Sequence, residues 1–592
     1  MHQRHFARVG PRRAKAAFYI FAAIALYLTW RLYDVQVLRG PVLAKEALAQ
    51  RSDTIDVYAR RGSILDRDGN VLVRSLPSES VYAVPHDLTD PSDAIARLGK
   101  IFGPLDPQLV AMLRDKNLEY VWVARKISYD QVRAVRALNI PGINLVRERT
   151  GRSIDTVGTM ASTVLGFVGI DDNGLDGIEY AYDGLLRGQT GKMTIETDEF
   201  GRPIPFGHRD VLVPAKAGLS LELTIDSYLQ YVAETALAAQ VKRYHARSGT
   251  AIVMDPNTGA VLALANAPDY DPNHFWRFPA RDRSDRAVLD AYEPGSTYKL
   301  VTAAAAIESG RVTPTMRFES AGPIVVGGRT IHDAVDGLTP SPNGNTLETI
   351  VADSLNVGAS EVAIKIGGRA FYRMERRAGF GSPTRIGLPG ENPGIVPPPS
   401  QWSGSSLATM AFGQGVAVTP LALTRYYCAI ANGGLLLRPR LLHAILGQHG
   451  EVLYAYPPEV VRRVFSPKIA RQLRQFLRAV VVRGTGDPSA QIPGYTTAGK
   501  TGTAQIAENG VYLPGAYVAS FIGMIPYHHP RFVILVKVDR PEGSIYGSEV
   551  AAPAFVRIAK AAMIHAGILP NLAAAPRTHG SRLVNAPAGA KP

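Results

Sequence analysis

At 592 residues the chain is too long for one hydrophobic core and divides into roughly two to four domains, mostly globular, with 46% apolar and 20% charged residues. The net charge of +14 comes without a basic stripe interleaved with aromatics, which disfavours nucleic acid and fits an anionic membrane or polymer. One cysteine, Cys428, excludes an internal disulfide, and its setting Tyr426-Tyr427-Cys428-Ala429-Ile430 reads as a packed helix position.

Residues 2–15 carry Arg4, Arg8, Arg12, Arg13 and Lys15 with no acid, and Ala16 to Trp30 is apolar or weakly polar. Continued through Val37 the run has 22 residues, about 33 Å of helix, enough to cross a bilayer. Arg31 snorkels or pairs with Asp34 one turn on, and the basic flank holds the N-terminus in the cytoplasm. A cleaved signal peptide is the rival reading, with Val42-Leu43-Ala44 as its cleavage site. That site lies beyond Arg31, Asp34 and Arg39, which favours an uncleaved anchor. The expected organisation is a cytoplasmic tail over 1–15, a single span over 16–38, and everything later outside the cytoplasm.

From 39 to 220 short strands and turns alternate without a catalytic constellation. Ser63-Ile64-Leu65-Asp66-Arg67 and Asn70-Val71-Leu72-Val73-Arg74 flank Asp68-Gly69, a strong hairpin signal. Arg60-Arg61-Gly62 before it reads as a solvated turn. From 221 to 566 the texture is that of a globular α/β domain. Ile225 to Ala239 predicts a helix, and Thr250 to Met254 and Ala260 to Leu264 predict two strands across Asp255-Pro256-Asn257-Thr258-Gly259. Val518 to Ile525 and Phe532 to Val538 predict a second strand pair, and Ala551 to Ala566 a closing helix. Residues 567–592, rich in Ala and Pro, are expected to be disordered.

Three motifs carry chemistry. In Glu293-Pro294-Gly295-Ser296-Thr297-Tyr298-Lys299 the Pro-Gly pair breaks what precedes it, so Ser296 falls in the first turn of a helix. Unpaired N–H groups and the helix dipole there favour developing negative charge. Lys299 returns to the same face, and the apolar run Leu300 to Ile307 buries it, which lowers a lysine's pKa and lets a neutral amine take the serine proton. A chain of this length carries about one Ser-x-x-Lys by chance, so the motif gains weight only from its company. That company is Ser354-Leu355-Asn356 and Lys500-Thr501-Gly502-Thr503. Ser341-Pro342-Asn343 also meets the second pattern but sits in a Pro, Gly and Asn loop, whereas Ser354 leads into a helical stretch through Val357, Val362 and Ile366. Gly502 leaves room for close approach along its strand, and Ala498-Gly499 before it carries nothing large to pack.

This order of motifs resembles the penicillin-binding proteins and serine β-lactamases. The hairpin is similar to the Arg-Gly-x-Ile-x-Asp-Arg-x-Gly signature of the class B penicillin-binding proteins. Gly166-Phe167-Val168-Gly169, Gly174 to Glu179 and Leu186-Arg187-Gly188 resemble that class's non-catalytic pedestal, and Ala411-Phe412-Gly413-Gln414-Gly415 with Val418-Thr419-Pro420 also resembles the family. The resemblance spans roughly residues 17 to 565 and is greatest to the division-type branch typified by penicillin-binding protein 3.

It implies an α/β (α+β) transpeptidase domain over 221–566, an antiparallel sheet flanked by helices. One transmembrane helix and an extended α+β pedestal, or dimerisation, domain over 39–220 precede it. It also implies D,D-transpeptidation of peptidoglycan stem peptides at the septum, inhibition by β-lactam antibiotics, no metal or cofactor, and a SEDS-family glycan polymerase and other division proteins as partners. Ser296, Lys299, Ser354 and Asn356 are then catalytic, with Asn356 holding the substrate's peptide bond. Lys500, Thr501, Gly502 and Thr503 bind substrate, and the backbone N–H groups of Ser296 and Thr503 receive the oxyanion. Leu355 departs from the Ser-Ser-Asn common in the class, which bears on substrate and antibiotic preference. An elongation-type relative, a β-lactamase and a penicillin-sensing receptor are the alternatives. The long pedestal and uncleaved anchor disfavour the β-lactamase, and a cytoplasmic portion of about 15 residues disfavours the receptor.

Overall fold

The computed structural model describes residues 10–148, 152–198, 204, 207, 209–319, 322–333, 343–508 and 510–570. Most of the expected basic tail, the rival Ser341 and the expected disorder of 571–592 lie outside them. The described chain forms two compact bodies, one from residues up to Ala59 with Gly188–Ala217, the other from Arg60–Arg187 with Gly218 onward.

In the first body a helix over Pro11–Tyr33 begins with Pro at its first turn and continues as one π turn, Asp34–Leu38. Together they make 28 residues with none of the apolar window buried, including Phe18, Phe21 and Leu26. By length and composition this helix is long and apolar enough to cross a bilayer. Arg31 donates to Asp34 at 2.5 Å and Arg39 lies 3.2 Å from the same oxygen, so the one acid is paired on both sides. Beyond the helix Gly40–Gln50, strands Ser52–Val57, Gly191–Glu196 and Arg209–Val213 form an antiparallel sheet.

The second body opens with the expected hairpin, Ile64–Leu65 against Val71–Leu76. Asp66 explains its tightness: the buried carboxylate accepts the N–H groups of Asp68 and Asn70 and the Ser227 hydroxyl, and Gly69 takes φ +84. Leu221 and Glu222 pair in parallel with Ile64 and Leu65, so a single mixed sheet crosses the boundary expected at 220. By contacts the stretch 39–220 is shared between the two bodies, with 60–187 in the second.

Arg61 overturns the solvated-turn reading. Its side chain is completely buried, donating to Glu179, to Asp183 at 2.7 Å and to the Asp172 carbonyl at 3.0 Å. Burial opposes its charge, and the Glu179 carboxylate with Asp183 more than offsets that, holding the guanidinium above its ordinary value. Reversing this charge would leave buried carboxylates facing one another, at a cost of about 3–5 kcal/mol for the broken pair. Arg61→Glu is expected to lower the denaturation midpoint and reduce penicillin acylation in parallel. Normal stability with selective loss of a partner would contradict this structural role.

The catalytic half is built on an antiparallel sheet of β1 (Ser248–Met254), β2 (Val261–Ala267), β3 (Ala498–Glu508), β4 (Val511–Ile525) and β5 (Phe532–Asp539), in the order β2-β1-β5-β4-β3. Period-two alternation sends Ile252, Leu264, Ile522 and Leu535 to one core and Ala251, Val253, Phe521 and Ile534 to the other. Helices α1 (Ser227–Arg243) and α8 (Ala552–His565) cover the second face. The first face carries α2 (Lys299–Glu308), α3 (Leu347–Ala352), α4 (Asn356–Ile366), α5 (Gly368–Arg377), α6 (Pro420–Ala431) and α7 (Pro467–Arg483). Asp226, Thr419 and Ser466 cap α1, α6 and α7 through side-chain oxygens, the last two ahead of a proline at the first helical position. Cys428 is buried inside α6.

Candidate active site

Ser296 does not open an α-helix directly. Gly295–Tyr298 is a 3₁₀ turn that runs into α2 at Lys299, because Gly295 stands at φ +55 and the Thr297 hydroxyl bonds back to Pro294 O at 2.7 Å. The turn is held from several sides. Tyr427 donates to Thr297 O at 2.8 Å, and Tyr298 donates to Glu375 at 2.9 Å. Burial pushes Glu375 up to about 8, so at neutral pH it is an uncharged hydrogen-bond partner inside the core. The Ala411-Phe412-Gly413-Gln414-Gly415 segment presses against the same turn. Gly295 donates to Gly413 O at 3.2 Å, and a Cβ on Gly413 would come within 2.3 Å of Gly295 O. Glu293 accepts from Gly415 N–H at 2.8 Å and from the Tyr512 hydroxyl at 3.1 Å, fixing the approach to the serine.

Lys299 is 1% exposed, with Nζ 3.0 Å from Ser296 Oγ, 2.8 Å from Asn356 Oδ1 and 3.2 Å from Ser354 Oγ, and bonded to Ser354 O. Burial first, and the Lys500 charge second, hold this amine well below the ordinary lysine value, against a smaller pull from Asp333. In its uncharged form, which this lowering favours, the amine has two N–H donors. Ser354 O and Asn356 Oδ1 can only accept, so they take both and leave its lone pair for the Ser296 hydroxyl. Asn356, expected to grip substrate, has its amide oxygen on Lys299 and its nitrogen on His332 O at 3.0 Å, and so orients the lysine.

Ser354 lies before α4, in left-handed backbone at φ +62. That conformation costs a non-glycine residue of order 1 kcal/mol or more and aims the hydroxyl between the two lysines. Lys500 Nζ donates to it at 3.0 Å. Lys500 is fully buried, and that burial, which nearby Asp353 only partly opposes, lowers it to about 7. On edge strand β3 the alternation turns Thr501, Thr503 and Gln505 toward a cleft of about 480 Å³ that also exposes Ser296, Ser354, Asn356, Phe412 and Gln414.

The two glycines of β3 serve packing. A Cβ on Gly502 would meet Ser520 Oγ at 2.4 Å and Thr297 Cγ2 at 3.0 Å, so its missing side chain admits the serine turn rather than substrate. At Gly499 a Cβ would meet the Phe521 ring at 2.6 Å, so a large group does pack there.

Three cleft residues carried no motif. Thr485, just after α7, lies 2.7 Å from the Thr501 hydroxyl and 3.5 Å from Lys500 Nζ. Asp333 caps α4 by accepting the Asn356 and Val357 N–H groups. Asp353 lines the cleft beside Ser354. Thr485 follows a long amphipathic helix within Gly484-Thr485-Gly486, where small and turn residues between periodic segments are a usable signal; the two aspartates had none.

Residues 249–560 match the penicillin binding protein transpeptidase domain and residues 56–223 the penicillin-binding protein dimerisation domain. Stage V sporulation protein D of Bacillus subtilis is 32% identical over 559 residues, covering 92% of this chain and 84% of that protein. The peptidoglycan D,D-transpeptidase FtsI of Escherichia coli K12 is 32% identical over 547 residues, covering 90% and 88%. The crystal structure of penicillin binding protein 3 from Mycobacterium tuberculosis, complexed with aztreonam, aligns with a TM-score of 0.67 at 29% identity, covering 88% of this chain and all of that one. With both domains matched in order and relatives aligned over most of their length, the chain belongs to the class B penicillin-binding proteins.

Proposed function

We propose that the chain is a peptidoglycan D,D-transpeptidase working through an acyl-enzyme at Ser296, and that it acts at the division septum. The observation that carries the chemistry is the buried Lys299 amine 3.0 Å from Ser296 Oγ, held well below the ordinary lysine value by its burial. Ser296 Oγ attacks the carbonyl of the penultimate D-alanine and its proton passes to Lys299. The N–H groups of Ser296 and Thr503 take the oxyanion. Ser354, bonded to both lysines, relays the proton to the departing nitrogen as the C–N bond breaks and the terminal D-alanine leaves. Lys500, Thr501 and Thr485 suit that alanine's carboxylate. An amine of a second stem peptide then attacks the ester, and Ser296 regains its proton by the same relay.

Time-resolved mass spectrometry with penicillin tests this. One adduct on the peptide containing Ser296, stable for many minutes, is expected; rapid release of hydrolysed drug would make the chain a β-lactamase.

The septal role rests on likeness to FtsI, and the equal identity to a stage V sporulation protein makes a role in sporulation the second reading. The single span over Pro11–Leu38 supports an inner-membrane protein with its catalytic body outside the cytoplasm, where it would work beside a SEDS-family polymerase. A fluorescent fusion gathering at midcell supports the division reading, and lateral-wall patches would assign it to elongation.

A further inference from the structure

Asp353 has no task in these steps, yet it lines the cleft. Its neighbours fix its place. Ala352 O accepts the Thr485 N–H at 3.1 Å and Ser354 Oγ accepts from Lys500 at 3.0 Å, so Asp353 is pinned on the flank that carries Thr485, Lys500 and Thr501. Among the described residues its carboxylate makes no hydrogen bond or ion pair; Arg483, the cation on that side, is held by Glu348 at 2.7 Å. Partial burial raises its pKa, with Arg483 and Lys500 pulling the other way. Asp333, the other acid lining the cleft, is occupied in capping α4.

In the proposed reaction this flank takes the carboxylate of the leaving D-alanine. By microscopic reversibility, the amine that attacks the acyl-enzyme enters where the first amine departed. A primary amine in neutral water arrives as an ammonium ion, and the charge of Lys500 on this flank opposes it unless a carboxylate answers that charge. After the anionic alanine has gone, an unpaired carboxylate at its exit does so, and it also disfavours rebinding of that alanine.

We propose that Asp353 recruits the acceptor, pairing with the incoming ammonium and holding its nitrogen on the leaving-group side of the Ser296 ester. This rests on the transpeptidase reading. The ammonium gives one proton to water, and its nitrogen forms the new C–N bond as the ester C–O bond breaks. A second proton reaches Ser296 Oγ through Lys299, and the third stays on the amide.

The test partitions one acyl-enzyme between amine and water. The full-length protein is acylated with an N-acyl-D-alanyl thioester, whose leaving thiol carries no amine, and D-alaninamide competes with water for the ester. Asp353→Asn is expected to lower the aminolysis-to-hydrolysis ratio about tenfold through the acceptor's KM, and Asp353→Glu to restore it in part. Added salt should depress the ratio in the wild type and not in Asp353→Asn. An unchanged ratio in Asp353→Asn overturns the proposal, even if acylation itself slows, because a structural role would weaken acylation and leave the partition alone. A wild-type acyl-enzyme that yields only hydrolysis product overturns the transferase reading, and the role of Asp353 with it.

Discussion

Ser296→Ala is expected to fold normally and lose covalent capture of penicillin altogether. Among the described residues the serine hydroxyl has one hydrogen bond, to Lys299 at 3.0 Å, and Lys299 keeps Ser354 and Asn356 as partners when it is gone, so little holding the fold is removed. The chemistry behaves differently. Nucleophile, base and oxyanion donors act as one unit, and deleting the nucleophile of such a unit costs about a millionfold in rate. Labelling with a fluorescent penicillin should give no band, with a melting curve superimposable on that of the wild type. An adduct that persists in Ser296→Ala, mapped to another serine, would refute the assignment.

Acylation should follow a bell-shaped pH profile whose limbs come from the two buried lysines. Lys299 must be neutral to accept the serine proton, so the rate falls as pH drops through its lowered pKa. Lys500 must be charged to hold a carboxylate, so affinity falls as pH rises above about 7 in the empty site, and the bound anion shifts that limb upward. The two amines share Ser354, and the measured limbs belong to the pair. Lys299→Ala should lower the rate by about 10²–10⁴, the usual share of a general base. A donor whose carboxylate is amidated should lose the alkaline limb.

The same lowering sets a stability cost. Unfolded, Lys500 stays protonated up to about 10.5, whereas folded it releases its proton near 7, so stability falls as pH is lowered across that window and levels off below it. Lys500→Met should therefore stabilise the protein at pH 7 by a few kcal/mol in denaturant titrations while abolishing acylation. A destabilised Lys500→Met would show that the amine's hydrogen bonds outweigh its desolvation.

Much of this architecture was legible because it is local or periodic. Strand pairs announce themselves by runs such as Phe532 to Val538, the hairpin by Asp68-Gly69, and the serine, its lysine and the Lys-Thr-Gly strand by short motifs whose members sit within reach of one another in the chain. What was illegible depends on who arrives from elsewhere. Arg61 looks like any turn arginine until Glu179 and Asp183 close on it. The left-handed turn at Ser354 ends helix α3, with Leu355 N–H bonded back to Ile350 O, yet no Gly or Asn in Asp353-Ser354-Leu355 announces it. Gly502 reads as space for a ligand, yet its neighbours are Thr297 and Ser520, set against it by the packing of α2 on the sheet. Thr485 reaches the cleft only because Gly484 lets the end of α7 rest on Ala352.

The edge strand β3 governs when the enzyme becomes reactive. Among the described strands it pairs with β4 alone, and it brings Lys500, Thr501 and Thr503 to a cleft that Tyr517 and Ile545 to Ser548 complete still later in the chain. In a chain made from its N-terminus onward, Ser296 exists before that strand does. In that interval Gly295 has neither Thr503 nor Ala504 to rest against, and Ser354 lacks one of the two amines that aim it. The serine of a half-made chain therefore lacks part of the arrangement that would activate its hydroxyl. Reactivity is thereby made a property of the finished molecule, switched on by the arrival of its C-terminal strands.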